Sequence, residues 1–149
     1  MNFKYILCLG MLFTISVSFS QNLSIYKSKK GVEETTQALV RLIKERNLVF
    51  LETVSRDKIA KEKGIDIEPT NVVIFEDSEL TSKLITCQQT TALDLPLKIL
   101  IWEENEDVYI GFNNPLDMEK RYMLNDCHDT IESLSRLMIR LVTDVMRAM

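Results

Sequence analysis

Apolar and polar residues along the chain follow short periods that predict its strands. Alternation over "LSIYKS" (23–28) predicts a strand, and the apolar runs "LVFLETV" (48–54) and "NVVIFE" (71–76) predict two more. Because the third run holds four apolar residues in succession, it favours a strand buried on both faces. "LKILIWEE" (97–104) and "DVYIGF" (107–112) flank a polar turn and therefore predict a β-hairpin.

Spacings of three and four residues predict helices between these strands. They cover 32–47, 55–64 and 77–87. The third helix starts at Asp77 and Ser78, either of which suits the N-cap position. A helical turn or two is also expected after the hairpin, over 116–124.

The longest helical pattern lies at the C-terminus. Asn125 or Asp126 would cap a helix that begins near Cys127. Its apolar stripe is wider than a coiled-coil seam, so it favours core packing against a sheet, with a dimer-forming helix as the alternative. The stripe consists of Ile131, Leu134, Leu137, Met138, Leu141, Val142, Val145, Met146 and Ala148.

The order of the predicted elements indicates the fold class. Three strand–helix pairs precede a hairpin and a final helix, and the last two strands lack the crossover that parallel pairing requires. The sequence therefore predicts an α+β two-layer sandwich, a small and mostly antiparallel sheet with helices packed on one face and a long C-terminal helix.

The N-terminus indicates the location of the protein, and the net charge argues against one class of partner. Residues 1–20 join one lysine to an uncharged apolar run that ends in small residues, as a secretory signal peptide does. We therefore expect a single mature domain over 21–149, periplasmic or secreted, with no membrane span after cleavage. A formal net charge of −4 argues against nucleic acid as a partner.

Two cysteines remain after the expected cleavage, Cys87 and Cys127, and they either form a disulfide or pack as separate thiols. His128, the only histidine, lies between Cys127 and Asp129. Adjacent helical residues point about 100° apart and no metal-binding spacing is present, so we expect no metal, no cofactor and no catalytic set.

Asp94 lies between Leu93 and Leu95, where a carboxylate has to cap a turn, pair with a cation or face a cleft. Turn capping is the favoured interpretation, and a ligand contact is the alternative. An enzyme that uses Asp94 as its acid or base is a further hypothesis, which would require a cleft around that side chain.

Two segments, "IDIEPTNVVIFED" and "TTALDLPLKILIWEENEDVYIGFNNP", resemble the prokaryotic family called domain of unknown function 302. The resemblance is best over about 35–115. It implies a small α+β two-layer fold and relatives that pair as dimers, and it implies no reaction.

The resemblance also adds two candidate positions. Arg56 stands where members of that family often carry a histidine, and Glu76 stands where they often carry a glycine after the third strand. With Asp94, these residues are the candidate ligand-binding set.

The sequence thus predicts an exported, non-enzymatic module that binds an unidentified small molecule or protein and pairs as a homodimer. The alternative is a thiol-redox or metal-linked protein that uses Cys87, Cys127 and His128.

Overall fold

The computed structural model describes residues 23–148, so the predicted signal peptide at 1–20 lies outside the described residues. The strands are β1 (Leu23–Ser28), β2 (Val49–Ser55), β3 (Thr70–Glu76), β4 (Leu97–Glu104) and β5 (Asp107–Asn113). The helices are α1 (Val32–Glu45), α2 (Arg56–Lys61), α3 (Ser78–Cys87), α4 (Leu116–Tyr122) and α5 (His128–Arg147). Short 3₁₀ turns at Gln89–Leu93 and Asn125–Cys127 precede β4 and α5.

The five strands form one sheet in the order β1-β5-β4-β3-β2, and every neighbouring pair is antiparallel. The predicted hairpin is present, and its turn residues Asn105 and Glu106 both have positive φ, 52° and 66°. A two-residue turn with this backbone matches the twist of the strands that it joins. The predicted α+β fold with an antiparallel sheet and a long last helix is confirmed.

Burial alternates along the central strands, because helices cover only one face of the sheet. Val73 and Phe75 of β3 are fully buried, whereas Val72 and Ile74 between them are half-buried on the opposite face. The prediction that β3 is buried on both faces is therefore wrong. A continuous apolar run does not show whether both faces of a strand are covered. Here the second face of β3 also carries apolar residues, but no helix of the core covers them.

The helix starts agree only in part with the capping prediction. The Asp77 side chain accepts a hydrogen bond of 3.0 Å from the Leu80 backbone N–H at the start of α3, as predicted. Neither Asn125 nor Asp126 caps α5, because both lie within the preceding 3₁₀ turn and Cys127 occupies the N-cap position. That second capping prediction is wrong.

Helix α5 lies at the centre of the helical layer, where it packs against α1, α3, α4 and β5. Most of the apolar stripe is buried within the chain, although Ala148 lies after the helix and is exposed. Arg46 after α1 forms an ion pair with Asp144 near the end of α5. Core packing, the favoured interpretation of the stripe, is what the structure shows. Its fully buried members are Ile131, Leu134, Met138, Leu141, Val142 and Val145.

The opposite face of the sheet has its own local packing around Gly111. The Trp102 ring stacks on Tyr109 with centroids 5.4 Å apart, and it also lies across Gly111. A Cβ added at Gly111 would lie 3.0 Å from the Ser24 carbonyl oxygen and 3.3 Å from the Trp102 ring. Both distances are shorter than most contacts of a Cβ atom, so a side chain here would require the neighbours to shift by a few tenths of an ångström.

We expect Gly111→Ala to lower the free energy of unfolding by about 1–3 kcal/mol, because the new methyl group has to displace the ring or the neighbouring strand. The matched control is Gly31→Ala, whose added Cβ meets nothing within 4 Å. Urea unfolding of both variants measures the difference. Equal effects at the two glycines would contradict the close packing at Gly111.

Candidate functional site

Asp94 follows the first 3₁₀ turn and is half-buried. Its Oδ2 accepts a hydrogen bond of 2.6 Å from Nη1 of Arg121, so the carboxylate pairs with a cation from α4. The pair borders a cavity of about 230 Å³ that Asn113, Asp117 and Met118 also line. The carboxylate therefore pairs with a cation and borders a cleft. Turn capping, the favoured interpretation, is not the contact that its side chain makes.

The other two candidate residues lie elsewhere. Arg56 is exposed at the first turn of α2, and Glu76 ends β3, where its Oε1 accepts a hydrogen bond of 2.6 Å from the Thr81 hydroxyl. Neither residue lines the cavity beside Asp94. The three candidates therefore do not form one site, and Glu76 is engaged in fixing the start of α3.

Cys87 and Cys127 form a disulfide across 40 positions of the sequence, with their Cα atoms 6.4 Å apart. The bond joins the end of α3 to the turn before α5. Cys87 is exposed, and the side chain of Cys127 is partly buried against the core. Of the two alternatives for these cysteines, the structure thus has the disulfide, which links α3 to the turn before α5.

His128 is exposed at the start of α5, and its Nδ1 lies 3.0 Å from Oε1 of Glu119. The hydrogen bond to Glu119, followed by the negative charge of that carboxylate, raises the pKa of His128 above its ordinary value of 6.5. Within residues 23–148, no group of three or more His, Cys, Asp or Glu side chains is placed to hold a metal ion.

A second cavity, of about 490 Å³, lies where α1 and α2 border β2 and the start of β3. We call it the basic groove. Among the residues that line it are Thr36, Arg41, Lys44, Phe50, Lys58 and Asn71. Three cations, one aromatic ring and a buried amide therefore share one concave surface that is large enough for a small molecule.

The sequence reading did not identify the basic groove. Gln37, Val40, Arg41 and Lys44 recur at spacings of three and four along α1, which is a signal for one face of a helix. From the sequence alone, that face looks like ordinary solvent-exposed helix surface, because the positions of β2 and α2 beside it are not known. Lys58 and Asn71 come from elements more than ten residues further along the chain.

Comparison with known proteins gives one family match. Residues 25–141 match the family described as Domain of unknown function DUF302. The crystal structure of a DUF302 protein from Bacillus stearothermophilus superposes with a TM-score of 0.75 at 18% identity, covering 85% of this chain and 99% of that one. At this identity the likeness establishes the fold alone.

Longer proteins contain a similar region. The chain is 28% identical over 99 residues to proteins named fluoride-specific ion channel FluC from Brucella suis and Brucella abortus. The match covers 66% of this chain but only 39% and 37% of those proteins. Within residues 23–148, no helix has both the length and the apolarity needed to cross a bilayer.

The raised pKa of His128 gives a direct test of its ion pair. Because His128 is the only histidine, its imidazole resonance should titrate alone, with a midpoint above 6.5 that Glu119→Gln lowers. The contribution to stability is fully present below pH 6.5 and is lost as the pH rises through the folded-state pKa. Proton NMR from pH 5 to 9 measures the midpoint, and a value at or below 6.5 in the unchanged protein would contradict the pairing.

Proposed function

The chain belongs to the family Domain of unknown function DUF302, and from its fold we propose that it is an exported, non-enzymatic binding module that pairs with a second copy of itself. The surface that carries this proposal is the face of the sheet opposite the helices, which we call the open face. Its apolar side chains are Ile25, Val54, Val72, Ile74, Leu100, Trp102 and Tyr109.

One row of apolar residues crosses all five strands of the open face. The strand register places Val54 beside Val72, Val72 beside Leu100, and Leu100 beside Gly111, which pairs with Ile25. None of these residues belongs to the core cluster, and Ile25 is 46% exposed. The side chain of Trp102 covers Gly111, the one position of the row without a side chain. An apolar row on an uncovered sheet face is the observation that favours a protein partner.

The area of the open face is large enough for a weak dimer interface. Five strands spaced about 4.8 Å apart and six to eight residues long span a face of roughly 20 Å by 20 Å. Two such faces would bury on the order of 1,000 Å² in total, which is at the lower end of specific interfaces. We therefore expect pairing that depends on concentration within the micromolar range.

The open face is also self-complementary about its apolar row. Lys98 lies on one side of the row and Trp102 on the other, both on β4. A two-fold axis along the row would bring Lys98 of each copy to Trp102 of the other. The ammonium group would then exchange its hydrogen bond of 3.0 Å to the Pro96 carbonyl oxygen for contact with the ring. The apolar residues of the row would then face their own counterparts.

The comparisons and the cysteines support two parts of the proposal. Proteins named as fluoride-specific ion channels contain a region similar to this chain as part of a longer sequence, which favours a module. The disulfide agrees with export to an oxidising compartment. Intact-mass analysis of the exported protein should give a chain that starts at Gln21, and retention of residues 1–20 would contradict the cleavage.

We expect Leu100→Glu to convert the dimer to a monomer, because the substitution places a charge at the centre of the apolar row. The control is Leu93→Glu, which makes the same change at a residue that is 81% exposed and lies outside the open face. Sedimentation velocity over about 1–200 μM measures the mass. A monomer at every concentration, or equal dissociation in both variants, would contradict self-pairing.

A second candidate function is thiol–disulfide exchange, which the exposed position of Cys87 favours. In that reaction two thiols of a partner would become a disulfide, and Cys87 and Cys127 would become thiols. A structural bond should instead remain oxidised in a glutathione buffer near −200 mV. Replacing both cysteines by serine should then lower the free energy of unfolding by up to roughly 4 kcal/mol.

Counting thiols after equilibration in that buffer separates the two functions. Two free thiols per chain, with the fold retained, would favour exchange over the structural role. The reduced unchanged protein should match the double serine variant in stability, which controls for any effect of the serines themselves.

A further inference from the structure

The geometry points to the basic groove as a binding site for a small organic anion that also carries a hydrogen-bond donor. The groove has about 490 Å³ of space, within the range of small-molecule sites. Its residues on β2 and β3 lie on the helix-covered side of the sheet, away from the open face. The inference is therefore independent of self-pairing, and either can fail without the other.

The cations of the groove lack carboxylate partners within the described part of the chain. Arg41, Lys44 and Lys58 form none of the ion pairs found among residues 23–148, although the whole chain has 22 acidic residues and 18 basic ones. Glu33, the acidic residue at the groove, accepts a hydrogen bond of 2.9 Å from Gln37 instead. Because three cations outnumber one carboxylate, the net charge of the groove is positive, which favours the binding of an anion.

The amide of Asn71 adds a second requirement. Asn71 is only 5% exposed, and its Nδ2 donates a hydrogen bond of 3.1 Å to Oγ1 of Thr36. The Thr36 hydroxyl donates its own hydrogen to the Val32 carbonyl oxygen at 2.7 Å, so it can only accept from Asn71. This chain of bonds fixes the orientation of the amide, with Oδ1 as its remaining acceptor.

Oδ1 of Asn71 accepts no hydrogen bond from another described residue. Every fully buried side-chain nitrogen or oxygen in residues 23–148 has a partner, so Oδ1 has to open onto the groove that Asn71 lines. A nearly buried acceptor without a protein partner selects for a ligand that brings a donor.

Two other residues of the lining are apolar, while Thr53 and Ser55 of β2 add polar side chains. Val40 and Phe50 are half-buried at the groove, and Nζ of Lys44 lies 5.1 Å from the centroid of the Phe50 ring. A ligand with a carboxylate or phosphate, an apolar body and a hydroxyl or amino group would therefore satisfy the cations, the ring and Asn71 together.

A series of related probes tests each part of this chemistry on the mature chain. 4-Hydroxybenzoate has the anion, the ring and the donor, benzoate lacks the donor, and 4-hydroxybenzamide lacks the charge. In a ¹⁵N–¹H NMR titration, 4-hydroxybenzoate should bind with a dissociation constant of about 1 mM or below and shift amides of α1, β2 and Asn71. Benzoate and 4-hydroxybenzamide should each bind several-fold more weakly.

Variants of exposed residues test the location without risk to the core. Arg41→Gln combined with Lys58→Gln should weaken binding of 4-hydroxybenzoate about tenfold or more, because it removes two charged donors. The control, Lys120→Gln with Arg140→Gln, makes the same change in charge on α4 and α5 and should leave binding unchanged. Absence of shifts, equal binding of the neutral amide or of benzoate, or equal loss in the control variant would each overturn the proposal.

Discussion

The structure depends on the burial of the α5 stripe against α1, α3 and one face of the antiparallel sheet. Fully buried residues of the helix, such as Leu134 and Leu141, meet fully buried residues of the strands, such as Ile99 and Ile110, in a single core cluster. A Leu or Ile side chain that is fully removed from water stabilises a fold by about 1.5–3 kcal/mol. Because the helices occupy only this face, the same packing leaves the other face of the sheet uncovered.

This asymmetry gives the protein two different candidate binding surfaces, one on each side of the sheet. On the helical side, the basic groove lies between α1, α2 and the edge of the sheet at β2. On the other side, the apolar row from Val54 to Ile25 crosses the sheet, with the Trp102 ring lying over Gly111. Both features result from placing all the core helices on one face, and neither requires a reactive side chain.

The sequence was sufficient for the fold because the relevant signals are local. The alternation in β1, the hairpin around Asn105 and the long stripe of α5 each lie within one segment. The errors arose where tertiary position decides the outcome. The run in β3 could not show which face is covered, and the start of α5 depended on a 3₁₀ turn rather than on a capping side chain. Asp94 was singled out as a carboxylate that needs an explanation, but turn capping was the favoured interpretation. Its pairing with Arg121, like the basic groove, required the fold.

Trp102 reports on the central claim directly, since it is the only tryptophan of the chain and lies on the open face. If a second copy covers that face, the fluorescence of Trp102 should shift to shorter wavelength as the protein concentration rises from nanomolar to about 100 μM. Its quenching by acrylamide should fall over the same range. An emission maximum and a quenching constant that do not change with concentration would contradict the account.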